Sequence, residues 1–134
     1  MRAVLWLSAL LLAGISPLPA VAGNAAPGSW HATAPRVLVT VSGRETRSDD
    51  LLPPPQARGQ RLAQVRWRFH QPAPLPLPAW LCHPQRCVAL DMPQGVTRAL
   101  EGLDAGQPLH FRFRRDPGHP AQEVRDLQLF VHYR

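Results

Sequence analysis

The sequence predicts an all-β protein: a small antiparallel β-sandwich or flattened barrel with one hairpin disulfide. Three observations lead there. Apolar and polar residues alternate with a period of two along several short segments. Sixteen prolines, most of them between those segments, argue against a helical bundle. The only two cysteines, Cys82 and Cys87, are spaced as facing members of one tight hairpin.

In chain order, the first element is a leader. Met1-Arg2 is a short positive start, Ala3 to Leu12 is apolar, and Pro17 and Pro19 break the run before Ala20-Val21-Ala22, an A-x-A cleavage pattern. Residues 1–22 read as a Sec-type signal peptide, and 23–134 as a single exported β-sandwich domain. The apolar run is too short to span a bilayer, and no later stretch qualifies as a membrane helix.

Segment 23–35 reads as a connection, low in apolar content until Trp30. Strand 36–42 follows, with Val37, Val39 and Val41 on one face. Segment 43–59 is again a connection, because Pro53-Pro54-Pro55 favours polyproline II and cannot enter a central strand. Strand 62–70 turns Ala63, Val65, Trp67 and Phe69 inward and leaves Gln64, Arg66, Arg68 and His70 outside. The proline-rich stretch 71–78 is a spacer.

The hairpin comes next, as strands 79–82 and 87–91. Antiparallel pairing across the turn sets Cys82 opposite Cys87, Leu81 opposite Val88 and Trp80 opposite Ala89. Period-two geometry then puts the sulfurs on one side of the ribbon and Leu81 with Val88 on the other. A free thiol pair and half a zinc site are the alternatives, but no second cysteine pair or HxxxH spacing exists to complete a metal site. An oxidising compartment favours the disulfide. Segment 93–106 holds either one short strand or a single helical turn. Strand 109–115 sets Leu109, Phe111 and Phe113 against His110, Arg112 and Arg114, and the last strand, from Val124, sets Leu127, Leu129, Val131 and Tyr133 against Asp126, Gln128 and His132. Phe130 interrupts that polar side, which marks a second apolar surface or a partner site.

The expected core is Val37, Val39, Val41, Val65, Trp67, Phe69, Leu81, Val88, Leu90, Leu109, Phe111, Phe113, Leu127, Leu129 and Val131.

Charge narrows the function. All fifteen basic side chains are arginine against nine carboxylates, a net charge of +6 with histidine neutral. An exported protein does not meet the chromosome, so this balance points away from nucleic acid and toward a membrane surface, peptidoglycan or an acidic protein. No GxSxG, HExxH, Walker-type or CxxC motif occurs, so no catalytic residues, metal site or cofactor are assigned. His70, His110 and His132 lie on polar strand faces and would form a cluster only if their strands were neighbours. The candidate binding residues are Arg66 and Arg68 on one strand and Arg112 and Arg114 on another, which make one positive patch if those strands pair. A carbohydrate- or cell-wall-binding module is the alternative, with Trp30, Trp80 and Tyr133 as candidate sugar platforms.

The motif Leu81-Cys82-x4-Cys87-Val88-x-Leu90-Asp91, together with the ending Val124-Arg125-x3-Leu129-x-Val131-x-Tyr133-Arg134, resembles the FlhE-type flagellar proteins. Trp67-Arg68 ahead of a proline-containing connection is similar too, and the likeness covers most of 60–134. The long proline-rich connections and Met92-Pro93 depart from that pattern. The resemblance implies a non-enzymatic periplasmic accessory of flagellum assembly, encoded beside export-gate components. It also implies a chaperone-like or gatekeeping role toward flagellar rod or export-apparatus proteins, including limits on proton leakage.

Overall fold

The structure, a computed structural model, describes residues 27–72 and 77–134, together with Gly14 and Ser16. The leader, apart from those two positions, residues 23–26, and residues 73–76 of the proline-rich spacer lie outside the described residues. Among the described residues, nine strands fall in two open, antiparallel sheets: β1 (Gly28–Ala34), β2 (Val37–Val39), β3 (Glu45–Arg47), β4 (Leu62–His70), β5 (Ala79–His83), β6 (Arg86–Leu90), β7 (Gln94–Thr97), β8 (His110–Arg114) and β9 (Gln122–Tyr133). The larger sheet runs β1-β9-β4-β7, with β2 continuing the β1 side along β9, and the smaller runs β3-β8-β5-β6. Because both sheets keep free edges, the molecule is a sandwich rather than a closed barrel.

The inner faces follow the period-two pattern. Val65, Trp67 and Phe69 of β4 and Leu127, Leu129, Val131 and Tyr133 of β9 meet Ala79 and Leu81 of β5 and Phe111 and Phe113 of β8 in one buried cluster. Phe69 stands edge-on to both Phe111 and Phe113, with ring centroids 5.9 and 5.2 Å apart. The hairpin pairs in the expected register, Leu81 with Val88 and Cys82 with Cys87, and the two sulfurs are bonded.

Several expectations are corrected. The connection 23–35 contains β1, which pairs along its whole length with β9, from Gly28 opposite Tyr133 to Ala34 opposite Leu127. Connection 43–59 contains β3 and a single 3-10 turn, Pro55–Ala57. Strand 36–42 shrinks to Val37–Val39, because pairing with β9 stops at Gln122, and Val41 is left 50 % exposed. Val88 lies on edge strand β6 and is only half-buried. Ala63 is also half-buried, because a bulge between Leu62 and Gln64 resets the inward sequence to Leu62 and Val65. A second bulge lies between Arg68 and His70, opposite the part of β9 where Asp126 takes a left-handed φ of 55°. Segment 93–106 resolves to strand β7 followed by turns.

Candidate functional site

The outer face of the larger sheet is built by register. Antiparallel pairing aligns His31 of β1 with Phe130 of β9, Phe130 with Arg66 of β4, and Arg66 with Val96 of β7, making one row across four strands. The next row carries Thr33, Gln128, Arg68 and Gln94, and the one on the other side Ser29, His132 and Gln64. None of these side chains is a carboxylate. The imidazole of His31 stacks on Phe130 with centroids 4.5 Å apart, and the Arg66 guanidinium lies 5.0 Å from the same ring. Arg66 and Phe130 line two hollows, one of about 500 Å³ over β4 and β7 and one of about 400 Å³ over β1 and β9.

Neither Arg66 nor Arg68 forms an ion pair among the described residues. Arg66 lies over an aromatic ring instead, and Arg68 is exposed beside it.

The outer face of the smaller sheet carries three arginines and neutralises them. Arg47 pairs with Asp50 at 2.5 Å, Arg112 with Glu45 at 3.5 Å, and Arg114 with Asp116 at 3.1 Å while covering the Trp80 ring at 5.4 Å. Between them His110 is buried, and its Nε2 accepts a hydrogen bond from Arg112 Nε at 3.0 Å. Burial first, then the positive charges of Arg47 and Arg112, push His110 down to about 4, against a smaller opposing pull from Asp50. That imidazole is neutral at ordinary pH, and its buried position makes it a structural acceptor for Arg112.

The expected four-arginine patch therefore does not assemble. Arg66 and Arg68 sit on β4 between β9 and β7, whereas Arg112 and Arg114 sit on β8 in the other sheet. The histidines do not converge either: His70 is opposite Arg125, His132 opposite Gln64 and Ser29, and His110 opposite Cys82. Among the described residues no group of three His, Cys, Asp or Glu side chains is placed to hold a metal ion. Of the aromatic platforms proposed for sugars, Trp30 and Tyr133 are buried at 7 % exposure each, and Trp80 is half-buried under Arg114. Sequence reasoning singled out Phe130 as an apolar residue on a polar face. It missed His31 and Val96 because β1 and β7 were not read as neighbours of that face.

The fold and this face together define a small, disulfide-pinned antiparallel sandwich with a guanidinium- and aromatic-rich outer surface. Residues 37–134 match the family model described as flagellar protein FlhE. The chain is 30 % identical over 128 residues to the flagellar protein FlhE of Yersinia enterocolitica, covering 90 % of this chain and 89 % of that one. It is also similar to a solved crystal structure of FlhE, with a TM-score of 0.71 and 30 % identity over 81 % of this chain and 97 % of that one. The chain belongs to the FlhE family of flagellar proteins. Among the described residues no helix is long and apolar enough to cross a membrane.

Proposed function

We propose that this chain is a non-enzymatic periplasmic accessory of flagellum assembly, delivered by cleavage of the leader after Ala22. In this reading it acts as a chaperone-like or gatekeeping factor by holding a flagellar rod or export-apparatus protein on the outer face of its larger sheet. The family supplies the flagellar setting. One observation carries the choice of face: Arg66 and Arg68 are left without carboxylates, although every arginine on the opposite outer face has one. Guanidiniums with no internal carboxylate can take a partner's carboxylates without first giving up an ion pair, which favours the open face for recognition. The carbohydrate-binding alternative has less support, because two of its three aromatic platforms are buried.

The test is a strain carrying Arg66→Glu and Arg68→Glu at the native locus. Both side chains are exposed, so the fold and the disulfide are expected to persist. Swimming on soft agar is expected to be impaired while the variant accumulates in the periplasm at normal level. Normal swimming with a folded, periplasmic variant would overturn the reading.

A further inference from the structure

We propose that the outer face of the larger sheet docks an extended acidic protein segment whose carboxylates lie on alternate residues, with an apolar side chain on the same side of the segment. This deepens the reading above and rests on it for the use of that face.

Charge complementarity is the first argument. The rows formed by β1, β9, β4 and β7 carry two guanidiniums without ion pairs, two imidazoles and no carboxylate. Asp126 lines a hollow with Arg68 at the bulged end of the sheet but makes no ion pair with it. The second argument is spacing. Arg66 and Arg68 are two residues apart on one strand and point to the same side, so their backbones stand about 6.6–6.8 Å apart. Alternate residues of an extended partner have the same repeat, and each guanidinium can take one carboxylate through two N–H donors. A helix offers its same-face pairs, three and four residues apart, at about 5–6 Å, so the extended chain is the closer match.

The third argument is the apolar floor. Phe130 is half-buried between His31 and Arg66, and Val96 at the far end of the row is 53 % exposed. An apolar side chain on the same side of the partner as its carboxylates covers the open edge of Phe130. A bilayer fits less well. Two arginines make only a weak electrostatic anchor at an anionic membrane, and the aromatic ring here lies half-buried beside two hollows.

The experiment uses the purified exported chain and fluorescein-labelled ten-residue peptides read by anisotropy. One peptide has a central Asp-Ser-Asp-Ser-Leu, which turns both carboxylates and the leucine to one side of an extended backbone, a second has Asn-Ser-Asn-Ser-Leu, and a third has Asp-Asp-Ser-Ser-Leu, which sends the carboxylates to opposite sides. The first is expected to bind saturably, and the other two about ten-fold or more weakly. Arg66→Glu with Arg68→Glu is expected to abolish binding, whereas Arg114→Gln on the opposite face leaves it unchanged. Equal binding of all three peptides, equal loss in both variants, or binding to phosphatidylglycerol vesicles that the first peptide does not compete would each overturn the proposal. Peptide binding that depends on Arg66 and Arg68, combined with normal swimming of the doubly substituted strain, would retire the flagellar role and leave the docking site standing. Impaired swimming without peptide selectivity would do the reverse.

Discussion

Two residues show how a side chain's surroundings set its work. Trp67 is buried under the outer strand, and its indole N–H donates to the Met92 carbonyl at 2.9 Å. Trp67→Ala removes a large core side chain and leaves that carbonyl without its donor, so a loss of about 3–5 kcal/mol is expected in urea denaturation. An unchanged melting curve would mean the ring is not holding the sheets together. His110 gives a pH signature. Its folded value is about 4 against an ordinary 6.5, so between those values the unfolded chain binds a proton that the folded chain refuses. Stability is then complete above about pH 6.5 and falls as the pH is lowered toward 4. The groups facing that imidazole are Arg47, Arg112 and Asp50. An NMR titration of its ring protons is expected to centre near 4, and His110→Gln is expected to flatten the loss of urea midpoint between pH 6.5 and 5. A ring titrating near its ordinary value would refute the assignment. The polar-face placement of this histidine was legible from alternation, but its burial was not, since Arg47 of β3 and Asp50, which face it, are about sixty positions away in sequence.

At the scale of elements, local pairing was readable and long-range pairing was not. The hairpin register follows from the spacing of Cys82 and Cys87, because in a tight turn the two strands leave each other no choice of partner. The inward faces of β4, β8 and β9 were readable from alternation for the same reason: each strand carries its own record of which side is dry. That record fails at bulges, where Leu62 and Val65, or Val124 and Leu127, both face inward across an odd interval. It fails also for β1, whose only large apolar residue is Trp30 and whose partner lies about a hundred positions on in β9. The four-arginine patch failed on the same ground, since nothing within β4 or β8 states which sheet it joins. Two elements carry predictions. Replacing both Cys82 and Cys87 by Ala removes a restraint on a very short loop and is expected to cost only about 2 kcal/mol, leaving a folded chain. A chain that no longer folds would show that the bridge does more than hold register. In β7, a Cβ on Gly95 would stand 2.6 Å from the Trp67 ring, which its bond to Met92 keeps in place. Gly95→Ala is expected to destabilise by about 1–3 kcal/mol. In combination with Trp67→Phe the two losses are expected to add to less than their sum, and strict additivity would mean the ring and the glycine are not in contact.

At the scale of the whole molecule, the sandwich depends on β9. It is the longest strand, it is flanked by β1 and β2 on one side and β4 on the other, and its inner face contributes Val124, Leu127, Leu129, Val131 and Tyr133 to the core. It also presents Phe130 outward, so the strand that closes the core sets the middle of the candidate docking face. Edge strand β7 pairs only with β4, and its loss would leave most of this intact. The end of β9 is different. Val131 pairs with both Trp30 and Val65, Tyr133 with both Gly28 and Leu62, and Arg134 exchanges backbone hydrogen bonds with Arg61 at 2.8 and 2.9 Å. Removing residues 131–134 withdraws two buried side chains at roughly 1.5–3 kcal/mol each and several backbone hydrogen bonds at about 1 kcal/mol each. It also uncovers Trp30 and Val65 from one side. Those losses together approach the roughly 5–15 kcal/mol by which domains of this size are stable. The chain ending at Phe130 is therefore expected to lack a cooperative thermal transition and the near-ultraviolet circular dichroism of packed aromatics. If it instead melted cooperatively within a few degrees of the full chain, the end of β9 would be dispensable, and the core and the docking face would not be coupled through it.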